Sequence, residues 1–284
     1  ADSLNPVLAV VNPATGRAPL GPMVDELRRQ AADLRIDLTI VFTTHAGHAV
    51  NLAQDAVPSG CAIIAVGGDG TVSDVVTGII GSDCAVGIVP TGSTNMIAKE
   101  LGIPRDVTSA MRIALASPAR REIDVARTGS TTFLHMAGAG FDAAVMRDAN
   151  PSVKRRLGWV AYLPAAARHL RFPMFDLDVT VDGVTATLPA RTVLCAIGSS
   201  IIHPRFRVGE GIDRADGLID VCIFSPPGLL ATASCAWWIA RGTPGRSRWL
   251  RQLRGRSVRL SSNLAIPFEV DGDPQGELPV EIEM

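Results

Sequence analysis

Short apolar runs alternate with amphipathic stretches through the first part of the chain. Leu8–Val11, Asp37–Thr43, Cys61–Val66 and Ala85–Pro90 read as strands, each an apolar run closed by turn-forming residues. Between them, Pro22–Leu34, Ala46–Val57 and Val72–Ile80 repeat apolar residues at helical spacing. A further helix follows the Thr91–Asn95 turn and runs through Leu101. This βαβα rhythm predicts a mostly parallel sheet covered by helices on both faces. Such sheets bind ligands beyond the carboxyl ends of their strands. Three of the turns at those ends are rich in Gly, Ser, Thr and Asn, and they are expected to converge on one edge.

From about Arg121 the rhythm changes. Strand-like runs then dominate: Ile123–Arg127, Phe133–Met136, Phe175–Val181, Thr185–Leu188, Thr192–Ile197, Leu218–Phe224, Ser257–Leu260, Ala265–Val270 and Val280–Met284. Val181-Asp182-Gly183-Val184 is a two-residue hairpin signal, because Asp-Gly accepts the positive φ values such a turn needs. Helical insertions are expected at Phe141–Arg147, Trp159–Leu170 and Leu229–Arg241. The pattern predicts an α/β domain over residues 1–122 and a mainly antiparallel β domain over 123–284, whose last strand is free to return to the first domain.

Composition acts mainly by exclusion. The 284 residues carry a net charge of -1 at pH 7, so no overall positive field points to nucleic acid. Cys61, Cys84, Cys195, Cys222 and Cys235 form no CxxC and lie mostly in apolar runs, which fits reduced thiols in a cytoplasmic protein. No signal-peptide pattern opens the chain and no apolar run reaches the roughly 20 residues of a membrane span, so no integral membrane segment is expected.

The densest candidate chemistry is Ala65-Val66-Gly67-Gly68-Asp69-Gly70-Thr71, set between a buried strand and a helix. Glycines let backbone N–H groups crowd around an anion, which suits phosphate. A loop that only holds phosphate has no need of Asp69; a carboxylate there suits a metal, a proton or a hydroxyl. The motif is neither a P-loop nor the GxGxxG fingerprint. His45 and His48 have a metal-ligand spacing, but without a third ligand they read as a surface helix start. His135 reads as a satisfied core or cleft histidine.

Together with Val75-Val76-Thr77-Gly78, this loop resembles the catalytic domain of the diacylglycerol kinase family, which includes bacterial lipid kinases, sphingosine kinases and ceramide kinases. Further segments fit in the same order: Val11–Gly16, Pro90–Ala98, Ala137–Ala143, Asp213–Asp220 and Val270–Asp273. The resemblance implies a nucleotide domain, a β-sandwich domain and an active site in the cleft between them, with ATP and Mg²⁺ as cofactors. It places Asn12, Pro13, Thr15, Gly16 and Thr43 along the nucleotide. Gly67, Gly68, Asp69, Gly70, Thr71, Val72, Ser73 and Ser93 hold its phosphates, with Asp69 serving the Mg²⁺–ATP. It makes Asp273 the acid that accepts the acceptor's proton, with Asp271 as its rival, although the family usually has Glu at that place. Asp216, with the carbonyls of Asp213 and Leu218, resembles a structural Mg²⁺ site. Asp124 matches an acid that supports the Asp69 network, while Met96 stands where many members have Asp.

The function expected is ATP-dependent phosphorylation of diacylglycerol or a related lipid alcohol at the cytoplasmic face of a membrane. Alternatives are a sphingosine- or ceramide-type kinase, an NAD kinase, and a catalytically impaired nucleotide- or lipid-binding regulator. Arg241, Arg246, Arg248, Arg251, Arg254, Arg256 and Arg259 follow one another without an intervening acid, with Trp237, Trp238 and Trp249 beside them. Arginine with tryptophan suits an anionic membrane interface, so this stretch is the docking candidate, with Lys154, Arg155 and Arg156 as a smaller one. An exposed sandwich edge leaves a homodimer open.

Overall fold

Strands and helices alternate from the first described residues of the computed structural model, which covers residues 6–15, 19–60, 62–149, 160 and 162–284. The order is β1 (Val7–Val11), α1 (Leu20–Asp33), β2 (Leu38–Phe42), α2 (His48–Ala56), β3 (Ala62–Gly67), α3 (Asp69–Ile79), β4 (Val86–Pro90), α4 (Met96–Glu100) and α5 (Val107–Ala116). The strands form a four-stranded parallel sheet in the order β2-β1-β3-β4, with Ala9 of β1 level with Ile40 and Ile64. Alternation sets its faces. Val7, Ala9 and Val11 pack with Ile64, Val66 and Val89 against Leu27 of α1 and Met111 of α5. The sequence reading lacks α5, whose start is marked by Asp106: its carboxylate accepts the Ser109 N–H at 2.8 Å.

The chain divides into two compact units, Ala1–Arg121 and Glu122–Met284. The second contains β5 (Ala126–Thr128), β6 (Thr131–Phe133), β7 (Met136–Gly140), α6 (Phe141–Asp148), α7 (Leu163–His169), β8 (Phe175–Val181), β9 (Val184–Ala190), β10 (Thr192–Ala196) and β11 (Ile219–Phe224). It continues with α8 (Leu229–Ala240), β12 (Leu250–Gly255), β13 (Ser257–Ser261), β14 (Pro267–Val270), β15 (Asp273–Glu277) and β16 (Val280–Glu283). Two six-stranded antiparallel sheets result, β12-β11-β10-β7-β14-β15 and β6-β5-β16-β13-β8-β9. The Asp-Gly hairpin lies where expected, joining β8 and β9, with φ 46 at Asp182 and 83 at Gly183. The last strand, β16, pairs with β13 and β5 of its own unit.

Period-two patterning builds the core between these sheets. In β8, Phe175, Leu177 and Val179 are buried while Asp176 and Asp178 are exposed. They pack with Val193, Cys195, Val221 and Ile223 of the facing sheet. That sheet is covered on its other side too, where Leu194, Cys222 and Phe224 meet Cys235 and Ile239 of α8 and Trp249. Strand β11 is therefore buried at every position, Asp220 included. A buried carboxylate is tolerable only when paired. Arg254 donates to both its oxygens, Nε to Oδ1 at 2.9 Å and Nη2 to Oδ2 at 3.0 Å, and Gln252 adds a bond of 2.6 Å.

Part of the basic stretch Arg241–Arg259 forms strands β12 and β13, and two of its arginines are engaged by carboxylates. Arg254 serves Asp220, and Arg259 pairs with Glu281 at 3.1 Å. Replacing Arg254 by Ala leaves a fully buried carboxylate uncompensated and should cost about 3 kcal/mol in urea denaturation. The double change Asp220→Leu with Arg254→Met should recover most of that loss. Cys195, Cys222 and Cys235 are buried core residues, whereas Cys84 is half-buried; burial pushes the Cys195 thiol up to about 12.

Candidate functional site

Every turn at the carboxyl edge of the parallel sheet is tied to a neighbouring turn. Asn12 follows β1; its N–H reaches Val66 O at 3.0 Å and its Nδ2 donates to Thr71 Oγ1 at 3.1 Å. The hydroxyls of Thr15 and Thr91 lie 3.0 Å apart, and Thr43 N–H donates to Val11 O at 2.9 Å. The loops after β1, β3 and β4 thus form one surface, as the pattern predicts. Pro13 and Ser93 are exposed on it, whereas Gly16 lies outside the described residues.

Two of its loops touch backbone to backbone. A Cβ added to Gly92 would stand 2.6 Å from the Gly68 Cα, and one added to Gly68 would stand 3.3 Å from the Gly92 Cα. Gly92 therefore admits no side chain without a shift of the backbone, and one at Gly68 would be tight. Thr91 N–H also donates to Gly67 O at 2.9 Å. Gly68 caps α3, Asp69 is its first residue, and Gly70 is open to solvent. The first N–H groups of an 11-residue helix therefore point out of a glycine turn, an arrangement that receives anions.

Asp69 is half-buried and accepts the Ile97 N–H at 3.0 Å, which fixes the carboxylate between the two loops. Lys99, from α4, lies close by. Burial and Arg105 hold its ammonium below the usual lysine range, against the opposing pull of Asp69. Lys99 is not among the site residues expected from the sequence; its signal was rarity, as one of two lysines in a chain whose other basic residues are arginines. Val72 differs from its neighbours, since its side chain is buried and its N–H is bonded to Gly68 O at 3.1 Å. Ser73 is half-buried on the first turn of α3. The glycine cradle and Asp69 fit a nucleotide phosphate with its hard cation.

In the second unit, β14 and β15 are joined by a two-residue turn, with φ 49 at Asp271 and 87 at Gly272. The Asp271 carboxylate accepts N–H bonds from Leu134, His135 and Met136 at 3.1, 3.2 and 3.0 Å. Asp271 thus bolts the turn to the β6–β7 connection. Asp273, the first residue of β15, is the exposed acid of the motif. His135 is half-buried, its Nδ1 accepting from Arg214 Nη2 at 3.0 Å.

Beneath the turn lies a carboxyl pair that the sequence reading lacks. Glu269, at 1% exposure, is bonded to the Gly272 N–H and to the Asp142 carboxyl. Both groups crowd Gly138, where an added Cβ would stand 2.7 Å from Asp142 Oδ2 and from Glu269 Oε1. Burial pushes both carboxyls up, Glu269 well above its ordinary value, and the adjacent Asp142 adds to that rise. The pair shares a proton. The signal lay in an acid inside each of two apolar strand–turn motifs, but their pairing is a product of tertiary structure.

A raised pKa means that the folded chain keeps a proton that the unfolded chain releases. The stabilisation is complete below the ordinary carboxyl range and is lost as pH rises toward the folded value. Thermal midpoints should therefore decline from weakly acidic to alkaline pH, and Glu269→Gln should make the decline much shallower. Equal slopes in the two proteins would exclude the pair as its source.

The acids of the Asp213–Asp220 segment are held by partners inside and outside it. Asp216 Oδ1 accepts the Leu218 N–H at 3.1 Å, Asp216 Oδ2 faces Arg254 Nη1 at 3.6 Å, and Asp213 Oδ1 accepts the Ala215 N–H at 3.1 Å. Asp124 accepts the Gly217 N–H at 2.8 Å. Asp216 thus faces a guanidinium on one oxygen and a backbone N–H on the other. Among the described residues no group of three His, Cys, Asp or Glu side chains converges as a metal site. His45 and His48 stack with centroids 4.9 Å apart around Thr44 on the surface.

Comparison with known proteins places this geometry in context. Residues 6–128 match the diacylglycerol kinase catalytic domain, and residues 135–284 match the YegS C-terminal NAD kinase beta sandwich-like domain. A Chromohalobacter salexigens protein named "Probable lipid kinase YegS-like" is 37% identical over 281 residues, covering 91% of this chain and 85% of its own. A Bacillus subtilis protein named "Diacylglycerol kinase" is 24% identical over 276 residues, covering 96% and 91%. A crystal structure of a diacylglycerol kinase from Bacillus anthracis superposes with a TM-score of 0.75 at 19% identity, over 100% of this chain and 94% of that one, a likeness of fold.

Proposed function

This chain belongs to the diacylglycerol kinase catalytic-domain family, and from that premise we propose that it transfers the γ-phosphoryl group of ATP to the hydroxyl of a lipid alcohol, diacylglycerol or a close relative. The observation that carries the reading is the glycine cradle at the sheet edge, with Asp69 held by Ile97 at the start of α3. Phosphoryl transfer requires alignment and charge neutralisation more than covalent chemistry. Asn12, Thr15, Thr71 and Thr91 form a hydrogen-bonded rim for the nucleotide. The N–H groups of the glycine turn bind phosphate oxygens, and Asp69 holds the Mg²⁺ that accompanies ATP. When bound, that ion neutralises charge on the phosphate oxygens.

In the reaction, the acceptor oxygen bonds to the γ-phosphorus and the bond to the β–γ bridging oxygen breaks, its electron pair leaving with ADP. The hydroxyl proton passes to the Asp273 carboxylate. Asp271 is less suited to that role, since backbone N–H groups already engage both its oxygens. No helix among the described residues is long and apolar enough to cross a membrane. The enzyme of this reading meets its substrate peripherally, at a cytoplasmic membrane face.

Transfer of label from γ-³²P-ATP to diacylglycerol, ceramide, sphingosine and monoacylglycerol in mixed micelles, with NAD as a soluble acceptor, tests the proposal. A labelled lipid is expected. Labelled NAD alone would make the chain an NAD kinase, and ATP binding without any transfer would make it a regulator.

A further inference from the structure

Helix α8 and the turn after it form a surface that the proposed reaction does not use. The helix has 12 residues and no charged side chain, and Cys235 is its buried residue. Leu229, Leu230 and Trp237 are 54%, 90% and 57% exposed. Leu230, Ala233 and Trp237 recur at i, i+3 and i+7, so they line one face. Arg241 lies one turn further, its guanidinium 5.4 Å from the Trp237 ring centroid. A monomer seldom keeps such large apolar side chains side by side in water without a use for them.

Beside this face is a groove of about 800 Å³, walled by Pro227, Leu229, Leu230, Trp238 and Trp249, with Arg246 at its border. Arg246 lies over Trp238 at 5.8 Å and Arg248 over Trp249 at 4.4 Å. Whereas Arg254 and Arg259 serve carboxylates, Arg241, Arg246 and Arg248 lie on aromatic rings at the surface. An opposing charge nearby is Glu210, whose carboxyl abuts Gly245. Apolar area thus coincides with an excess of guanidinium groups.

We propose that α8 and the Pro244–Arg246 turn anchor the protein on anionic phospholipid bilayers. Leu230 and Trp237 enter the acyl boundary, and Arg241, Arg246 and Arg248 bind headgroup phosphates. Charge favours this occupant over a second copy of the chain. A two-fold contact through the same patch would set these arginines against one another, whereas anionic lipid supplies the opposite charge.

Co-sedimentation of the intact chain with phosphatidylcholine vesicles, with or without about 30% phosphatidylglycerol, tests the anchor independently of catalysis. Anionic vesicles should bind at least about tenfold more protein than neutral ones, with the excess falling as salt rises. The double variant L230E/W237E and the triple variant R241E/R246E/R248E should each remove most of that binding while the thermal midpoint stays unchanged. Equal binding to both vesicle types, binding that survives both variants, or a concentration-dependent dimer dissolved by L230E/W237E would overturn the proposal.

Discussion

Replacing Asp273 by Ala is expected to lower kcat by about 10²- to 10⁴-fold, the range associated with removing a general base. ATP affinity, read by calorimetry, should remain unchanged, because the nucleotide-side groups belong to the first unit. Asp273→Glu should keep substantial activity, since it retains the carboxylate and adds the methylene usual in the family. The contrast is with Asp271→Asn. That change weakens the charged acceptor of three N–H bonds and should cost stability, about 2 kcal/mol, with little effect on kcat of the folded protein. If Asp273→Ala turns over normally while Asp271→Asn does not, the two roles must be exchanged.

Asp69→Asn is expected to reduce kcat/KM for Mg²⁺–ATP by about 10²- to 10³-fold, as expected for loss of a charge that acts on the phosphates. Asparagine keeps an oxygen for the Ile97 N–H, so the fold and thermal midpoint should hold. That separation makes the test informative: lost activity at constant stability identifies the charge as the cause. Activity within about threefold of the parent would remove Asp69 from the nucleotide chemistry.

The first unit was largely legible in the sequence because its signals are local. Strand–turn–helix boundaries at Gly67–Thr71 and Thr91–Asn95 are written in glycine and short hydroxyl residues, and parallel topology brings them to one edge. α5 escaped notice because its start depends on one capping carboxylate beyond the Thr91–Asn95 motif. The second unit was legible as antiparallel, but its polar chemistry was not. Asp220 falls inside the expected strand Leu218–Phe224, but nothing local shows that this strand is buried on both faces, the acid with it. Its partner Arg254 looks like part of a continuous basic surface. Glu269 and Asp142 are far apart in sequence and become one proton-sharing unit only when β14 pairs with β7 at the start of α6. Local pattern conveys which residues are buried; it does not convey which buried charges meet.

The contact between Gly68 and Gly92 carries a mechanical consequence. With no side chain between them, the loops after β3 and β4 lie backbone against backbone, so a displacement of one is expected to press on the other. A change in the seating of β4, made in its interior well away from any phosphate, would be transmitted to the loop holding Asp69. Nucleotide affinity in this protein should therefore respond to repacking around Val86–Pro90, a region that a search confined to polar residues would pass over.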